Sequence, residues 1–305
     1  MSIFYRKSLK NFKAYIPGEQ YNEVYVKLNT NENPYSVNIA FDKSVIDSLN
    51  KYPEPLSLQL RAKIAKKCGI KRQNVIAGAG SDEILRLIFQ AFIDPGDKIA
   101  YSVPTYTLYK VLGKMFNAKV IEFKPARDLG INRDIIKSSV KIVFVCTPNS
   151  PTGIVTDLDV IKEILEARKE RLVIVDEAYA EFCKITAIPL IKRYRNLIVL
   201  RTFSKSHSLA GLRLGFGFGD NELIDELLSV KDSYNLNRIT QYIGSIAVDM
   251  DISENVEKII RERERVKKSL EEMDLFVYNS GSNFLLLRIK NAKEVYQKLK
   301  EKKVL

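Results

Sequence analysis

Short runs of β-branched and aliphatic residues recur along this chain, and most of the stretches between them carry apolar residues at helical spacing. The runs are Val75–Ala77, Lys98–Tyr101, Val120–Phe123, Lys141–Cys146, Leu172–Val175, Leu197–Arg201 and Arg213–Phe218. Several are apolar at consecutive positions, as strands covered on both faces must be. Ser81–Phe92 places Ile84, Leu85, Ile88, Ala91 and Phe92 on one helical face, and Asp157–Arg168 does the same with Leu158, Ile161, Ile164 and Leu165. This alternation predicts an α/β fold, a mainly parallel sheet with helices packed on it. Residues 1–35 read differently, with turn-formers in IPGEQ and NTNENPYS, and from about Asp220 the pattern turns mostly helical. A strand at Phe284–Ile289 and a helix at Ala292–Lys302 follow. We expect a large domain over 36–235, and a smaller α/β domain built from the arm 1–35 and residues 236–305. A strand is expected to begin at the terminal KKVL to cover the edge of that smaller sheet, so the smaller domain is expected to be incomplete.

Composition narrows the chemistry. At 305 residues the chain can bury a sizeable core without disulfides or metal staples. Hydrophobic residues make up 46% and charged residues 28%, an ordinary globular balance. No apolar run approaches the ~20 residues a membrane helix needs, and the N-terminus lacks a signal-like apolar stretch. A cytoplasmic protein without membrane contact is expected. Cys68, Cys146 and Cys183 are too few and too widely spaced for a disulfide framework or a cysteine zinc site, and His207 is the only histidine. The net charge of +12 would suit an anionic partner. Its lysines and arginines interleave with acids, however, as in ENVEKIIRERERVKKSLEE, which fits solvated helix faces and not a nucleic-acid stripe. No nucleic-acid partner is expected.

Four stretches carry candidate chemistry. In LIVLRTFSKSHSLAGLRLGFGFG an apolar strand runs into a turn with Thr202, Ser204 and Lys205, followed by Arg213. A lysine at the end of a buried strand is costly as a cation, and one resolution is a Schiff base with an aldehyde cofactor whose phosphate the hydroxyls and Arg213 hold. The plainer reading is a solvated loop lysine. Asp176 ends the run Leu172–Val175, where α/β sheets bind ligands, and Tyr179 follows it; a helix N-cap is the plainer reading. Asn149 lies between Pro148 and Pro151 in a turn that either presents its amide to a ligand or is only a turn. Gly78-Ala79-Gly80-Ser81-Asp82 leads into a helix whose free amides form a phosphate cradle, with a spacing that matches no nucleotide fingerprint. Gly215, Gly217 and Gly219 read as packing or bending positions.

Together KLNTNENPYS, KYPEP, AGAGSDEIL, SVPTYTLY, CTPNSPTG, VDEAYAEF and RTFSKSHSLAGLRLGF resemble the fold-type I pyridoxal-phosphate aminotransferases, most closely the histidinol-phosphate aminotransferase branch. They occur in that family's order from Lys27 to about Gly217, and weaker similarity extends to SGSNFLLLRI. The resemblance implies an aspartate-aminotransferase-like fold and pyridoxal 5'-phosphate as cofactor. It implies that Lys205 bonds the cofactor aldehyde and later moves the Cα proton, and that Asp176 pairs with the pyridine nitrogen. Asn149 and Tyr179 would hold the ring oxygen, and Tyr106 would stack on the ring. Gly80, Ser81, Thr202, Ser204 and Arg213 would bind the phosphate, with Asp82 at the adjoining helix start. Tyr52 of KYPEP would reach the phosphate of the other subunit's cofactor, implying a homodimer with composite active sites. Tyr15 and Asn149 would line the substrate pocket.

The implied reaction is transamination between glutamate and imidazole-acetol phosphate. Threonine-phosphate decarboxylase and other class I/II aminotransferases share the cofactor motifs and stand as alternatives. Family members continue beyond the position of KKVL into strands with an arginine for the substrate carboxylate, and Arg288 does not occupy that motif. A cofactor-binding but catalytically impaired protein is the alternative of a different class. His207 is expected to pack or to support site residues without touching the ligand, and Cys146 and Cys183 to be small core or near-site residues.

Overall fold

The computed structural model describes residues 4–9, 12–20, 25–40 and 42–305. Seven strands form one sheet: β1 (Val75–Gly78), β2 (Lys98–Ser102), β3 (Lys119–Phe123), β4 (Ile142–Cys146), β5 (Leu172–Asp176), β6 (Leu197–Thr202) and β7 (Gly215–Gly219). Their order across the sheet is β1-β7-β6-β5-β4-β2-β3. All neighbours are parallel except β7, which runs antiparallel to both β1 and β6. Helices α1 (Lys43–Asp47), α2 (Leu58–Cys68), α3 (Ser81–Phe92), α4 (Leu108–Met115) and α5 (Leu158–Ala167) connect or flank the strands. Helices α6 (Asn221–Val230), α7 (Arg238–Ala247), α8 (Ser253–Glu271) and α9 (Ala292–Glu301) follow, with a two-residue hairpin, β8 (Phe276–Val277) and β9 (Leu287–Arg288), between the last two.

Strand alternation builds a core on each side of the sheet. Val143, Val145, Val173, Val175 and Val199 face a cluster with Leu60 and Ile64 of α2 and Ile161, Ile164 and Leu165 of α5. Phe144, Ile174, Ile198 and Leu200 face the opposite way, with Ile84, Leu85 and Ile88 of α3 and Tyr109 and Leu112 of α4. The parallel register aligns Cys146 with Asp176 and Asp176 with Leu200, so the carboxyl ends of the three central strands finish at one level. That level forms the floor of the site.

Two expected strands come out shorter. The last sheet strand begins at Gly215 because Arg213 adopts a left-handed conformation, φ 52°, which extended pairing cannot include. Of Phe284–Ile289 only Leu287–Arg288 pairs, since the Ser280 and Ser282 hydroxyls take up the Phe284 carbonyl. At KKVL, Val304 forms a parallel bridge with Val26, and the Leu305 amide donates to the Val26 carbonyl at 3.0 Å. The chain's N-terminal segment and its last residues are therefore hydrogen-bonded to each other.

The glycines of β7 are packing positions. A Cβ at Gly215 would lie 2.3 Å from the Ser81 amide nitrogen and 2.4 Å from the Gly80 carbonyl carbon, both backbone atoms that cannot swing aside. Gly215→Ala is expected to lower stability by about 1–3 kcal/mol through overpacking and to displace the start of α3. Urea unfolding of both proteins checks it; equal midpoints would show that the α3 start is free to shift.

Candidate active site

A cavity of about 630 Å³ opens above the strand ends. Its walls include Tyr15, Ser81, Asp82, Tyr106, Asp176, Tyr179, Thr202, Ser204, Lys205 and Arg213, so most of the residues singled out in the sequence converge on one space. Helix α3 starts at its edge with Gly80 as N-cap, at φ 79° and without a side-chain cap, leaving the first-turn amides available. A Cβ at Gly80 would meet only the movable end of the Arg213 side chain, so it is the backbone angle that calls for glycine here. The Ser204 hydroxyl accepts from Thr202 at 2.9 Å, and Arg213 lies 3.4 Å from it. Amides, two hydroxyls and a guanidinium thus surround one corner, the donor set a phosphate monoester requires. Asp82 accepts from the Tyr106 hydroxyl at 3.1 Å and from Arg213 at 3.2 Å, so it orients two cavity residues.

Asp176, only 3% exposed, caps the central strand. Burial is the main reason its carboxyl is pushed up to about 6, against donation from the Tyr109 hydroxyl at 2.8 Å and from the Ala178 amide at 3.2 Å. Such a carboxylate is short of a cationic partner. Lys205 is likewise desolvated, which pushes its amine down to about 8; Arg213 adds to this and Glu32 opposes it. Its Nζ donates to the Thr30 carbonyl at 2.7 Å and lies 5.6 Å from the Tyr179 ring centre. Burial pushes the Tyr179 phenol up to about 12. Its oxygen accepts from the Asn31 amide at 3.1 Å, which leaves the phenolic proton free for a ligand.

Two expected residues stand apart from this cavity in the chain. The Asn149 amide donates to the Pro104 carbonyl and the Thr152 hydroxyl, both at 2.9 Å, and its oxygen accepts from Thr105 at 2.7 Å. Its neighbours Ser150 and Pro151 line the main cavity, while Asn149 lines a smaller void beside it. Tyr52 is 77% exposed and stacks on Tyr234 at 4.5 Å. Tyr15 packs edge-on against Tyr106 at 5.9 Å. His207 is buried against Phe203 with ring centres 3.9 Å apart, and burial drives its pKa to about 3, so it packs as a neutral ring. Cys146 lies on the cavity floor as a thiol pushed up to about 12 by burial, and Cys183 is half-buried. Among the described residues no helix is long and apolar enough to cross a membrane, and no cluster of three potential metal ligands occurs.

Sequence reasoning missed Thr30, Asn31, Asn33 and Tyr109. The Asn33 amide holds the Lys205 and Ser206 carbonyls at 3.1 and 3.2 Å. The amide-rich run NTNEN and the tyrosine one turn after Tyr106 were the available signals, but their partners are far away along the chain.

The sequence pattern of the family described as Aminotransferase class I and II matches residues 23–305. This chain belongs to that family. The histidinol-phosphate aminotransferase of Brachyspira hyodysenteriae is 39% identical, covering 100% of this chain and 90% of its own length. Histidinol-phosphate aminotransferase 1 of Trichormus variabilis is 36% identical with the same coverages. Among solved structures, the histidinol-phosphate aminotransferase of Sinorhizobium meliloti in complex with pyridoxal-5'-phosphate superposes with a TM-score of 0.85 at 20% identity, over 97% of this chain and 85% of that one. The aspartate aminotransferase of Thermotoga maritima gives 0.79 at 22%, over 92% and 83%. The aspartate-aminotransferase-like fold expected from the resemblance is therefore present. The enzyme is a pyridoxal-phosphate-dependent aminotransferase, and the donor-rich corner, buried Asp176 and desolvated Lys205 fit that cofactor's phosphate, ring nitrogen and aldehyde.

The Asp176 shift has a measurable consequence in the cofactor-free protein. A carboxyl whose folded pKa lies near 6, above its ordinary 3.8, binds its proton more tightly in the folded state. The associated stability is fully present below pH 4 and lost as pH rises through 6. Asp176→Asn is therefore expected to be more stable than wild type by about 3 kcal/mol at pH 7.5 and by well under about 1 kcal/mol near pH 4. Denaturant unfolding at the two pH values tests this, and an advantage that does not vary with pH would refute it.

Proposed function

We propose that this aminotransferase interconverts histidinol phosphate and imidazole-acetol phosphate, with glutamate and 2-oxoglutarate as the other pair. The observation that carries the chemistry is the convergence of Lys205, Asp176 and Tyr179 on one cavity beside a phosphate-binding corner. The substrate is supported by the names of the full-length relatives at 34–39% identity.

When bound, pyridoxal phosphate supplies the electron sink that stabilises charge left at the substrate Cα. The chain's own groups do the rest. The Asp176 carboxylate accepts the ring N–H and, once beside that cation, stays ionised. The Tyr179 hydroxyl donates to the ring oxygen, its own oxygen already being served by Asn31. The α3 amides at Ser81, with Thr202, Ser204 and Arg213, would hold the phosphate. Tyr106, with its hydroxyl tied to Asp82, would stack on the ring. The Lys205 amine carries the Cα proton. With its pKa lowered to about 8, a useful fraction is neutral and able to accept near pH 7.5. Tyr15 lines the substrate side of the cavity, and Asn149 reaches the ligand if the Thr105 and Thr152 contacts yield. Tyr52 does not line its own chain's cavity and is assigned to the cavity of a second copy in a homodimer. In this reading residues 36–235 form the cofactor-binding domain, and the arm 1–35 acts with residues 236–305 as the smaller one. The setting is the cytoplasm.

The experiment is an absorbance spectrum of purified protein with pyridoxal phosphate, one sample then treated with borohydride and a separate, unreduced one with glutamate, followed by turnover of the unreduced protein with imidazole-acetol phosphate. Wild type is expected to show a visible band that glutamate bleaches, with borohydride fixing the cofactor to the Lys205 peptide. Lys205→Ala is expected to lose that fixation and at least about 10²-fold in turnover. Release of CO2 from threonine phosphate without keto-acid turnover would replace transamination by decarboxylation. A band that glutamate leaves unchanged would leave cofactor binding standing and reject turnover.

A further inference from the structure

Strand alternation sends Glu177 and Arg201 to the face of the sheet opposite Asp176, away from the cavity. There the Arg201 Nε donates to Glu177 at 2.8 Å and an Nη to Glu181 at 2.5 Å. Glu177 is 1% exposed, and its carboxylate also accepts from the Thr186 hydroxyl at 2.8 Å and the Ala187 amide at 2.5 Å. Burial raises the Glu177 pKa while Arg201 opposes the rise; burial works against the Arg201 charge too, but the two carboxylates more than offset it. One guanidinium is thus shared between the two carboxylates.

What they bracket is the turn that carries the site. Glu177 follows Asp176 directly, Tyr179 lies between the two glutamates, and Arg201 stands four residues before Lys205 on the next strand. The turn's internal bonds are few: Ala180 to Glu177, Phe182 to Tyr179, and Cys183 and Lys184 to Ala180. The strand end itself is fixed, since Asp176 pairs with Leu200 and the Glu177 amide donates to the Leu200 carbonyl at 3.0 Å, but none of these bonds ties the 178–181 stretch to β6. A guanidinium fork on Glu177 and Glu181 does tie that stretch to β6.

We propose that Arg201 is a positioning residue, which clamps the 177–181 turn to β6 so that Tyr179 meets the cofactor in register with Asp176 and Lys205. The proposal rests on the cofactor reading above for its catalytic consequence, but the clamp itself is testable without cofactor.

The test compares Arg201→Met, Arg201→Lys and Glu181→Gln. Hydrogen exchange in the cofactor-free protein is read at the Ala180, Phe182 and Cys183 amides, with β4 and β5 amides as the internal reference. Arg201→Met is expected to speed exchange in the turn by about tenfold or more while the reference amides change far less. At saturating pyridoxal phosphate it is expected to lower kcat by about tenfold or more, with the KM for glutamate changed less than about threefold, as misplaced groups do. Arg201→Lys is expected to recover part of both effects by keeping one ion pair. Should Arg201→Met fail to fold, Glu181→Gln, which releases only the far end of the turn, is expected to show the same two effects at smaller size. A lowered melting temperature with uniform exchange across turn and sheet and kcat within about twofold would make Arg201 a structural ion pair only and overturn the proposal. Absence of cofactor binding in wild type, with selective loosening of the turn in the variants, would instead reject the cofactor reading and leave the clamp intact.

Discussion

Asp176 is an ionisable group held among aliphatic side chains at the end of a central strand, and the arrangement of the site depends on that burial. An isolated carboxylate there is strongly disfavoured. The protein supplies only part of what it needs, one phenol and one amide, and leaves its pKa near 6. The deficit is matched by a second one a strand away, where Lys205 is desolvated and has a carbonyl as its hydrogen-bond acceptor. Two undercompensated groups of opposite type, kept apart by the sheet register, make a site that a ligand with a basic ring nitrogen and an aldehyde relieves at both ends. Stability given up in the empty protein returns as binding and reactivity in the loaded one.

The sheet makes this possible because backbone pairing, unlike side-chain packing, fixes positions without using the groups at the strand ends. Cys146, Asp176 and Leu200 sit in register through β4, β5 and β6, and the antiparallel β7 brings Gly215 against the start of α3. The phosphate corner is thus tied to the strand that leads into Lys205 by a contact with no room for a methyl group. A lengthwise slip of one of these strands would separate the phosphate corner from the lysine.

How much of this was legible follows from the range of each interaction. The sheet strands and the extent of α3 were readable because hydrophobic periodicity is local. Lys205, Asp176, Tyr179 and the Gly80–Asp82 turn were readable because strand-end chemistry announces itself within a few residues. Tyr109 was not, since its link to Asp176 spans 67 residues, nor was Asn31, whose link to Tyr179 spans 148. Only the topology brings those pairs together. Asn149 shows the converse: its turn was evident in the sequence, but the Pro104 carbonyl that claims its amide lies 45 residues upstream.

The segment around Thr30 carries the same logic furthest. It has no helical or strand periodicity, and in isolation it reads as a connecting loop. In the folded chain Thr30 takes the Lys205 amine across 175 residues, Asn33 holds the Lys205 and Ser206 carbonyls, and the Asn31 carbonyl accepts from Asn283. A loop rich in amides can do this because asparagine offers donor and acceptor together and satisfies backbone groups that no ladder reaches. The segment therefore ties Tyr179 and Asn283 to the one side chain whose proton affinity matters most. Its position over Lys205 makes the amine's environment a property of the whole fold and not of the local motif that first drew attention to it.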